Sequence, residues 1–350
     1  MSSTRESACT CRSLSDAIVR LLTGLLVRCI ATVGRWTRSL EHGGEVPVYD
    51  VVNAGPKHRF LTTGPIMSNC VLGLGYGMGA AKFIDSCKAQ RLTLPVLPKD
   101  QWNEPTFVSK PHFDSDMRVV EEGFNAKLFD RSKFAIRSAL HIGDKDMLLP
   151  ENEEAVGRFL YSQKVVNEWR AANAPIVAMW GKLADDFRAR VAAGKKTYSI
   201  RLPSGRIKWY WYPEIRAEET EEYDEHGVKH IGCRYRMSAI VVRDRTLRDQ
   251  KKFPYGVPKF FTGGHLMENV VQATCRDIME YSAGEIAEKY PSWHFLFSCY
   301  DEQVWEVPDD EVSEAEKVIP YVMCHGDSIK DWTLGMPLDV EGVSDYRYAK

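Results

Sequence analysis

Apolar residues recur at the spacing of a helix in three parts of this chain. Residues 17–34 favour an amphipathic helix over a membrane span, because two arginines interrupt an apolar run that is short for a bilayer. Residues 165–193 predict two helices, since Pro175 ends the first one. A long helix is predicted after Thr262, whose hydroxyl oxygen can cap the first turn.

The predicted helix after Thr262 has a polar side and an apolar side. Asn269, Gln272 and Arg276 are spaced three and four residues apart, which places them on one face of a helix. The residues Val270, Ala273 and Ile278 help to form the apolar side. This pattern by itself fits an amphipathic surface helix as well as a binding face.

Strand and turn signals predict β-structure in three other places. Residues 45–52 form a β-rich run, and residues 200–211 predict a hairpin with a Pro-Ser-Gly turn. A second hairpin is predicted from a strand at 294–299 and a return strand at 303–307. The acidic run at 218–225 predicts a solvated loop.

The composition, with 44% hydrophobic and 27% charged residues, is that of a soluble globular protein. Because the net charge is −2, binding to a nucleic acid would need a local basic patch. Residues 243–252 are the most basic stretch of the chain. The sequence is consistent both with phosphate contacts there and with a plain solvated surface. The nine cysteines lack zinc-site spacing, which favours reduced thiols in a cytosolic compartment.

Four alternate glycines mark the segment from Cys70 to Phe83. Glycine is a poor helix former that is tolerated where the backbone approaches a ligand closely. The spacing differs from that of a dinucleotide-binding loop. The segment resembles the fingers helix of family A DNA polymerases, the bacterial polymerase I type, in the form found in phages. The resemblance implies that Leu72, Tyr76 and Gly77 bind the incoming nucleotide, with Leu72 and Tyr76 on one helix face.

The helix after Thr262 also resembles these polymerases. Residues 263–277 carry the family pattern Gly-Gly-x-Leu-x-Glu-Asn-x-x-Gln-Ala-x-x-Arg-Asp. The resemblance implies that the stripe of Asn269, Gln272 and Arg276 borders the primer–template DNA.

The turn of the second hairpin carries Asp301 and Glu302, where the family has His-Asp-Glu and this chain has Tyr300 for the histidine. Adjacent acids at a turn are usually only solvated. The resemblance implies instead that Asp301 is a metal ligand and that Glu302 shapes the surroundings of the metal and the primer end. Polymerisation of this kind uses two Mg²⁺ ions held by carboxylates from separate elements.

Several residues that the polymerase family needs have no match in this chain. The family has an Arg and a Lys before the fingers helix, and the matching positions in this chain are Gly64 and Ser68. The second metal-binding carboxylate, from the family's Asp-x-Ser-x-Ile-Glu motif, is also missing. The resemblance therefore implies that an N-terminal partner chain supplies these groups.

The segment before Cys70 resembles the C-terminal half of a split intein. It has a Val-Tyr-Asp strand ending at Asp50, a His-x-Phe element with His58, and a terminal Ser68-Asn69. Asn69 can cyclise and cleave the following peptide bond, and the thiol of Cys70 can accept an acyl chain as a thioester. His58 is a candidate for proton transfer and Asp50 for orienting the thiol. Ser68 stands where many inteins have His, and a plain hairpin with a chance Asn-Cys pair is the alternative.

These segments together predict an α+β fold. We expect an N-terminal extension with one helix at 1–43, a small β-rich intein segment at 44–69, mostly helical polymerase fingers with connecting elements at 70–255, and a palm with an antiparallel sheet and a catalytic hairpin at 256–350.

The two resemblances imply a DNA-directed DNA polymerase fragment. It would add deoxynucleotides (from dNTPs) to the primer of a primer–template DNA with two Mg²⁺ ions, once trans-splicing at Asn69 and Cys70 has joined it to its N-terminal partner. We expect a cytoplasmic location, in a bacterium or a phage-infected host, and no membrane partner. The alternative is a non-enzymatic remnant that binds DNA or an N-terminal polymerase subunit without splicing.

Overall fold

The computed structural model describes residues 73–89, 91–241, 256–299 and 301–336, together with 338–340, 342, 344 and 345. These residues form α-helices and antiparallel strands, so the α+β prediction is confirmed. The helices are α1 (Ala80–Ala89), α2 (Leu128–Leu140), α3 (Glu153–Ala172), α4 (Ala174–Ala192), α5 (Gly263–Lys289) and α6 (Val312–His325). The strands are β1 (Pro105–Ser109), β2 (His112–Phe113), β3 (Val119–Val120), β4 (Gly123–Lys127), β5 (Thr197–Arg201), β6 (Ile207–Tyr223), β7 (Lys229–Val241), β8 (Val257–Phe261), β9 (His294–Cys299) and β10 (Glu302–Glu306).

The chain divides into two compact units. Among the described residues, the larger unit contains those within 73–198 and 209–268. The smaller unit contains residues 199–208 and those from 269 onward. The division runs through β5, β6 and α5, each of which contributes residues to both units. The subdomain boundaries drawn from the sequence stay predictions.

The larger unit has its hydrophobic core among α1, α2 and α3. One buried cluster includes Trp102, Leu128, Ile136, Phe159 and Leu160, each at most 2% exposed. A second cluster joins α1 to α3 through Leu74, Phe83, Cys87, Leu94 and Val166. Burying one such side chain contributes roughly 1.5–3 kcal/mol, so these contacts fix the two helices against each other.

The predicted helix break before Pro175 is confirmed. Helix α3 ends at Ala172 and α4 begins at Ala174, with Pro175 in its first turn. The amide of Asn173 donates a hydrogen bond to the carbonyl oxygen of Trp169 at 2.8 Å, which satisfies one of the free acceptors at the end of α3. Proline is tolerated in the first turn because that N–H would have no helical partner.

A four-stranded sheet has the strand order β5-β6-β7-β8. The hairpin predicted over 200–211 is confirmed, although β5 begins earlier and β6 runs further than predicted. Its turn contains the expected Pro-Ser-Gly sequence, and Gly205 has a φ of +87°. An L-residue rarely adopts that conformation, so glycine allows the tight connection.

The prediction of a solvated loop for the acidic run at 218–225 is wrong, because β6 continues to Tyr223. Only its last two residues lie beyond the strand. Basic side chains of β7 compensate the charge: Arg236 pairs with Glu218 at 2.7 Å and Lys229 with Glu221 at 2.5 Å. Opposite charges on neighbouring strands stabilise a sheet, and the sequence pattern of β6 alone does not reveal these cross-strand partners.

The helix predicted over residues 70–83 is interrupted within the described part. Residues 73–75 are helical, Tyr76 and Gly77 form a turn, and α1 begins only afterwards. Gly77 has a φ of +86°, which a right-handed helix cannot contain. The alternate glycines lower the energetic cost of leaving the helical conformation. Because the helix is interrupted, Tyr76 does not lie on a continuous helix face. Leu72 lies outside the described residues.

The smaller unit packs α5, the β9–β10 hairpin and α6 around one cluster. Its buried members are Ile286, Trp293, Ala315 and Val322. The indole of Trp293 donates a hydrogen bond to the carboxylate of Glu311 at 2.5 Å. This buried anchor at the start of β9 holds the base of the hairpin and leaves its turn at the surface.

Candidate active site

The β9–β10 hairpin has the form that the sequence predicts. Cys299 and Glu302 are paired in the register, so two residues connect the strands. Asp301 lies in this connection and is exposed, whereas Glu302 is the first residue of β10 and is half-buried. Tyr300 lies outside the described residues. A carboxylate is thus presented at the tip of a two-stranded support.

Helix α5 holds the hairpin from one side through Gln303. The amide of Gln303 donates hydrogen bonds to the carbonyl oxygen of Met279 at 2.9 Å and to the hydroxyl of Ser282 at 3.1 Å. Its amide oxygen accepts a hydrogen bond from the indole of Trp305 at 2.9 Å. Because Gln303 follows Glu302 directly, these bonds limit the movement of the hairpin next to its tip.

Asp301 acts electrostatically on the middle of α5. Partial removal of the Cys275 thiol from water raises its pKa, and the negative charge of Asp301 raises it further. The residue Cys275 as a whole is exposed. The neighbouring Arg276 donates a hydrogen bond to Ser298 of β9 at 2.9 Å and pairs with Glu280 one turn along the helix. The structure therefore brings Asp301 and Arg276 to the same region of the smaller unit.

The polar stripe of α5 has the geometry that its spacing predicts. Gln272 and Arg276 are exposed, and Asn269 is partly so. The residues on the opposite side, Val270, Ala273 and Ile278, are at most 9% exposed. Contact of the stripe with DNA stays a prediction.

An ion pair between the exposed Arg206 and the buried carboxylate of Asp277 on α5 was missed from the sequence. The carboxylate of Asp277, 4% exposed, accepts a hydrogen bond from the Nε of Arg206 at 2.6 Å and another from the hydroxyl of Ser204. Arg206 also donates to the carbonyl oxygen of Ala273 at 2.9 Å. These bonds attach the turn between β5 and β6 to α5. The sequence signal that could have revealed it is Asp277, an acidic residue among the apolar positions of a helix. A buried charge requires a partner, so such a residue indicates an ion pair.

The start of α5 confirms Thr262 as its N-cap. The backbone N–H of His265 donates to the hydroxyl oxygen of Thr262 at 3.2 Å, and the N–H of Thr262 lies at the same distance from the Nδ1 of His265. This reciprocal arrangement satisfies two donors at the start of the helix, as in a capping box.

The candidate nucleotide-binding segment is held in place by side chains of α3 and α4. Trp180 donates its indole N–H to the carbonyl oxygen of Gly75 at 3.0 Å. Arg170 reaches the carbonyl oxygen of Met78 at 3.4 Å. Burial lowers the pKa of Arg170. The loop that contains Tyr76 and Gly77 is therefore supported on both sides.

The first turn of α5 packs directly on this segment. A Cβ atom on Gly264 would lie 2.1 Å from the carbonyl oxygen of Tyr76, and one on Gly263 would lie 2.0 Å from that of Trp180. Any side chain at either position would overlap backbone atoms. The paired glycines thus serve close packing of backbone against backbone.

Possible metal ligands do not cluster in the described part of the chain. Those segments contain no group of three or more His, Cys, Asp or Glu side chains arranged to hold a metal ion. Asp301 and Glu302 provide carboxylate oxygens, which Mg²⁺ prefers, but they would form only part of a ligand set. The predicted splicing residues, Asp50, His58, Ser68, Asn69 and Cys70, lie outside the described residues.

Among the helices that the structure describes, none is both long and apolar enough to cross a membrane.

Comparison with known proteins identifies a polymerase relative. A DNA polymerase of Bacillus phage SP02 is 25% identical over 206 residues, which are 52% of this chain and 26% of the phage protein. The chain thus spans about a quarter of that relative's length. No protein-family model matches the chain, and no solved structure matches it. The similarity supports a relationship to DNA polymerases.

Proposed function

We propose that this chain is the C-terminal part, fingers and palm, of a phage-type family A DNA polymerase. The observation that carries the proposal is the exposed carboxylate of Asp301 at the tip of a hairpin fixed to α5. A rigid support matters, because catalytic groups must be held close to the geometry of the reaction. The similarity to a phage DNA polymerase supports this choice of reaction class.

In this proposal Asp301 is a Mg²⁺ ligand, and Glu302 orients the environment of the metal and the primer end. When bound, two Mg²⁺ ions activate the primer 3′-hydroxyl and stabilise the leaving pyrophosphate. The two adjacent carboxylates fit half of such a site. The second ligand comes from an N-terminal partner chain.

The exposed surface of the hairpin supports a partner of this kind. Among the described residues, β9 pairs only with β10. Three consecutive residues of β9 remain exposed: Phe295 at 44%, Leu296 at 53% and Phe297 at 41%. An apolar edge strand in a two-stranded sheet is a favourable place for another strand to pair. We therefore assign this edge to the N-terminal polymerase chain.

The remaining residues take substrate-binding roles. Asn269, Gln272 and Arg276 contact the primer–template DNA through the exposed side of α5. Tyr76 and Gly77, with Leu72 before them, contact the incoming dNTP. The support of that loop by Trp180 favours a preformed nucleotide site, because little ordering is then needed on binding.

The covalent link to the partner is assigned to residues 50–70. In protein trans-splicing, Asn69 would cyclise and release the intein segment, while Cys70 would carry the transferred acyl group as a thioester. Asp50, His58 and Ser68 would assist these steps. The product would join the N-terminal polymerase chain directly to Cys70.

The alternative is a non-enzymatic remnant that binds DNA or an N-terminal subunit without splicing. Tyr300 in place of the family's histidine, and the missing second carboxylate, favour it. Co-expression with an N-terminal polymerase precursor from the same genome separates the two functions. We expect a ligated product, seen by mass spectrometry, that extends a primer.

Replacement of Asn69 and Cys70 by alanine should abolish ligation. An unligated complex that extends primers would contradict splicing and preserve the polymerase assignment. An unligated complex with no primer extension would support the remnant, whereas a ligated product with no primer extension would confirm splicing and contradict the polymerase assignment.

A further inference from the structure

A partly buried arginine of the larger unit is not matched by a negative charge. Arg170 lies near the end of α3, and its side chain is partly buried. Within the part of the chain that the structure describes, no carboxylate forms an ion pair with it. Its hydrogen bond to the carbonyl oxygen of Met78 is long, at 3.4 Å. A guanidinium group stays charged at neutral pH and carries several N–H donors, so most of its bonding capacity is available.

Two tryptophans fix the position of this guanidinium group. The Cζ atom of Arg170 lies over the ring of Trp180, 5.9 Å from its centroid. Trp169 stacks on Trp180, with 6.2 Å between the ring centroids and 10° between the planes. Trp180 is itself held by its hydrogen bond to the carbonyl oxygen of Gly75. An arginine that lies over an aromatic ring can still donate hydrogen bonds from the edge of its guanidinium plane.

The contacts of Arg170 do not by themselves explain a charge at this position. Its pKa is lowered because burial disfavours the charged form. Buried charges are usually paired, because an unpaired one loses hydration without a compensating interaction. The single long hydrogen bond to Met78 requires only a neutral donor. A charge kept at this cost indicates that an anion completes the site.

The open side of Arg170 adjoins the loop that the proposed function assigns to the nucleotide. Met78, its acceptor, directly follows Tyr76 and Gly77. Gly77 and Gly79, on either side of Met78, are both exposed. A Cβ atom added to Gly79 would meet no atom within 4 Å. There is therefore free space beside the backbone that Arg170 contacts.

We propose that Arg170 binds a phosphate group beside the loop at residues 75–79. Two N–H groups of a guanidinium match two oxygens of a phosphate, which gives a bidentate and charge-assisted contact. The location rests on the proposed function, in which Tyr76 and Gly77 contact the incoming dNTP. The phosphate belongs to that nucleotide or to the DNA strand next to it. Both sources offer the same chemistry, and the experiments below separate them.

The first experiment titrates the full chain with inorganic tripolyphosphate, which carries phosphate without a base or a sugar. Calorimetry should show binding that Arg170→Gln weakens by about 10- to 100-fold, the loss typical of a hydrogen bond to a charged group. Arg170→Lys keeps the charge but loses the bidentate geometry, so its affinity should lie in between. Arg188→Gln is the matched control, because Arg188 is exposed on α4 and pairs with Asp185 at 2.9 Å.

Urea unfolding separates phosphate binding from a purely structural role of Arg170. Without the anion, Arg170→Gln should unfold at the same urea concentration as the wild type or a slightly higher one, because an unpaired charge has been removed. Tripolyphosphate should raise the midpoint of the wild type and leave that of the variant nearly unchanged. The response to the anion decides: an equal response of the two proteins would show a structural role alone.

Two further titrations identify the source of the phosphate. One uses dTTP, and the other uses labelled primer–template DNA with a single-stranded template overhang. A loss of about 10-fold or more in dTTP affinity on Arg170→Gln assigns the phosphate to the nucleotide. The same loss for the DNA, with unchanged dTTP affinity, assigns it to the template strand.

The proposal is wrong if the wild-type chain binds none of the three ligands, or if Arg170→Gln binds all of them with unchanged affinity. If Arg170→Gln does not fold, Arg170→Lys gives the decision by the same criterion. A failure of the polymerase proposal looks different. Primer extension would then be absent from the joined protein, while tripolyphosphate binding to this chain would still depend on Arg170.

Discussion

The guanidinium group of Arg276 donates a hydrogen bond to the hydroxyl oxygen of Ser298, with 2.9 Å between the two atoms. Arg276 lies on α5, and Ser298 lies next to the last residue of β9, so the bond joins helix and hairpin close to Asp301. In the proposed enzyme Arg276 therefore has two tasks. It holds the hairpin, and it presents a positive charge to DNA.

Separate substitutions distinguish the two tasks of Arg276. Ser298→Ala removes the link and keeps the charge, so we expect slower incorporation by the assembled enzyme with unchanged DNA affinity. Arg276→Ala should also lower the salt slope of duplex binding by about 0.9, the value for one phosphate contact. Primer-extension rates and DNA titrations at several salt concentrations measure both effects. If the two variants have the same DNA affinity and the same salt slope, Arg276 does not contact DNA.

Asp301→Asn should reduce nucleotide incorporation by the assembled polymerase by about 100-fold or more, a loss typical for a group that stabilises transition-state charge. Because Asp301 is exposed, its replacement should leave the unfolding free energy nearly unchanged. Asp309→Asn is the control, since Asp309 is also exposed and lies beyond β10. Full activity of the Asp301 variant in a single-turnover assay would refute the catalytic assignment.

Two glycines of α5 should respond in opposite directions to alanine. In Gly264→Ala the new Cβ would lie 2.1 Å from the Tyr76 carbonyl oxygen, and we expect a loss of about 1–3 kcal/mol from overpacking. An added Cβ on Gly284 meets no atom within 4 Å, so Gly284→Ala should stabilise the helix by about 0.5–1 kcal/mol. Urea unfolding compares both with the wild type. A destabilised Gly284 variant would contradict the open surroundings of that position.

Glu285 should make stability depend on acid pH. Burial alone would raise its pKa, but hydrogen bonds from Lys289, Ser328 and Asp327 outweigh this and lower the pKa to about 2 from the ordinary 4.5. Because the folded state favours the ionised form, this contribution is complete above about pH 4.5 and is lost as the pH falls from there to about 2.

The variant Glu285→Gln tests this dependence. It should lower the unfolding free energy at neutral pH by about 1–3 kcal/mol, because backbone donors of residues 327 and 328 lose a charged acceptor. Between about pH 4.5 and 2 its stability should fall less steeply than that of the wild type. Urea titrations across that interval give the comparison, and parallel curves for the two proteins would rule out Glu285 as the source.

Local patterns predicted several elements correctly because the controlling interactions are local. Pro175 ends α3, Thr262 caps α5, and a Pro-Ser-Gly turn joins β5 to β6. Each outcome depends on the backbone preferences of a few adjacent residues. The tip position of Asp301 followed from strand patterns on both sides of a short turn.

Other features depend on residues that are far apart in sequence. The break at Gly77 is stabilised where Gly264 packs on Tyr76, and the acidic half of β6 is a strand because Arg236 and Lys229 lie across from it. No local pattern contains such partners.

The sequence by itself determined several of the elements, the α+β class, the position of Asp301 at a turn and the polymerase resemblance, because these are set by residue type and short-range spacing. Only the tertiary structure decided which side chains support them. It joined Arg206 to Asp277 and Arg276 to Ser298, and it placed Gly264 against the backbone of Tyr76. The physical reason is that burial and pairing energies arise between segments, and they become defined only when the chain has folded.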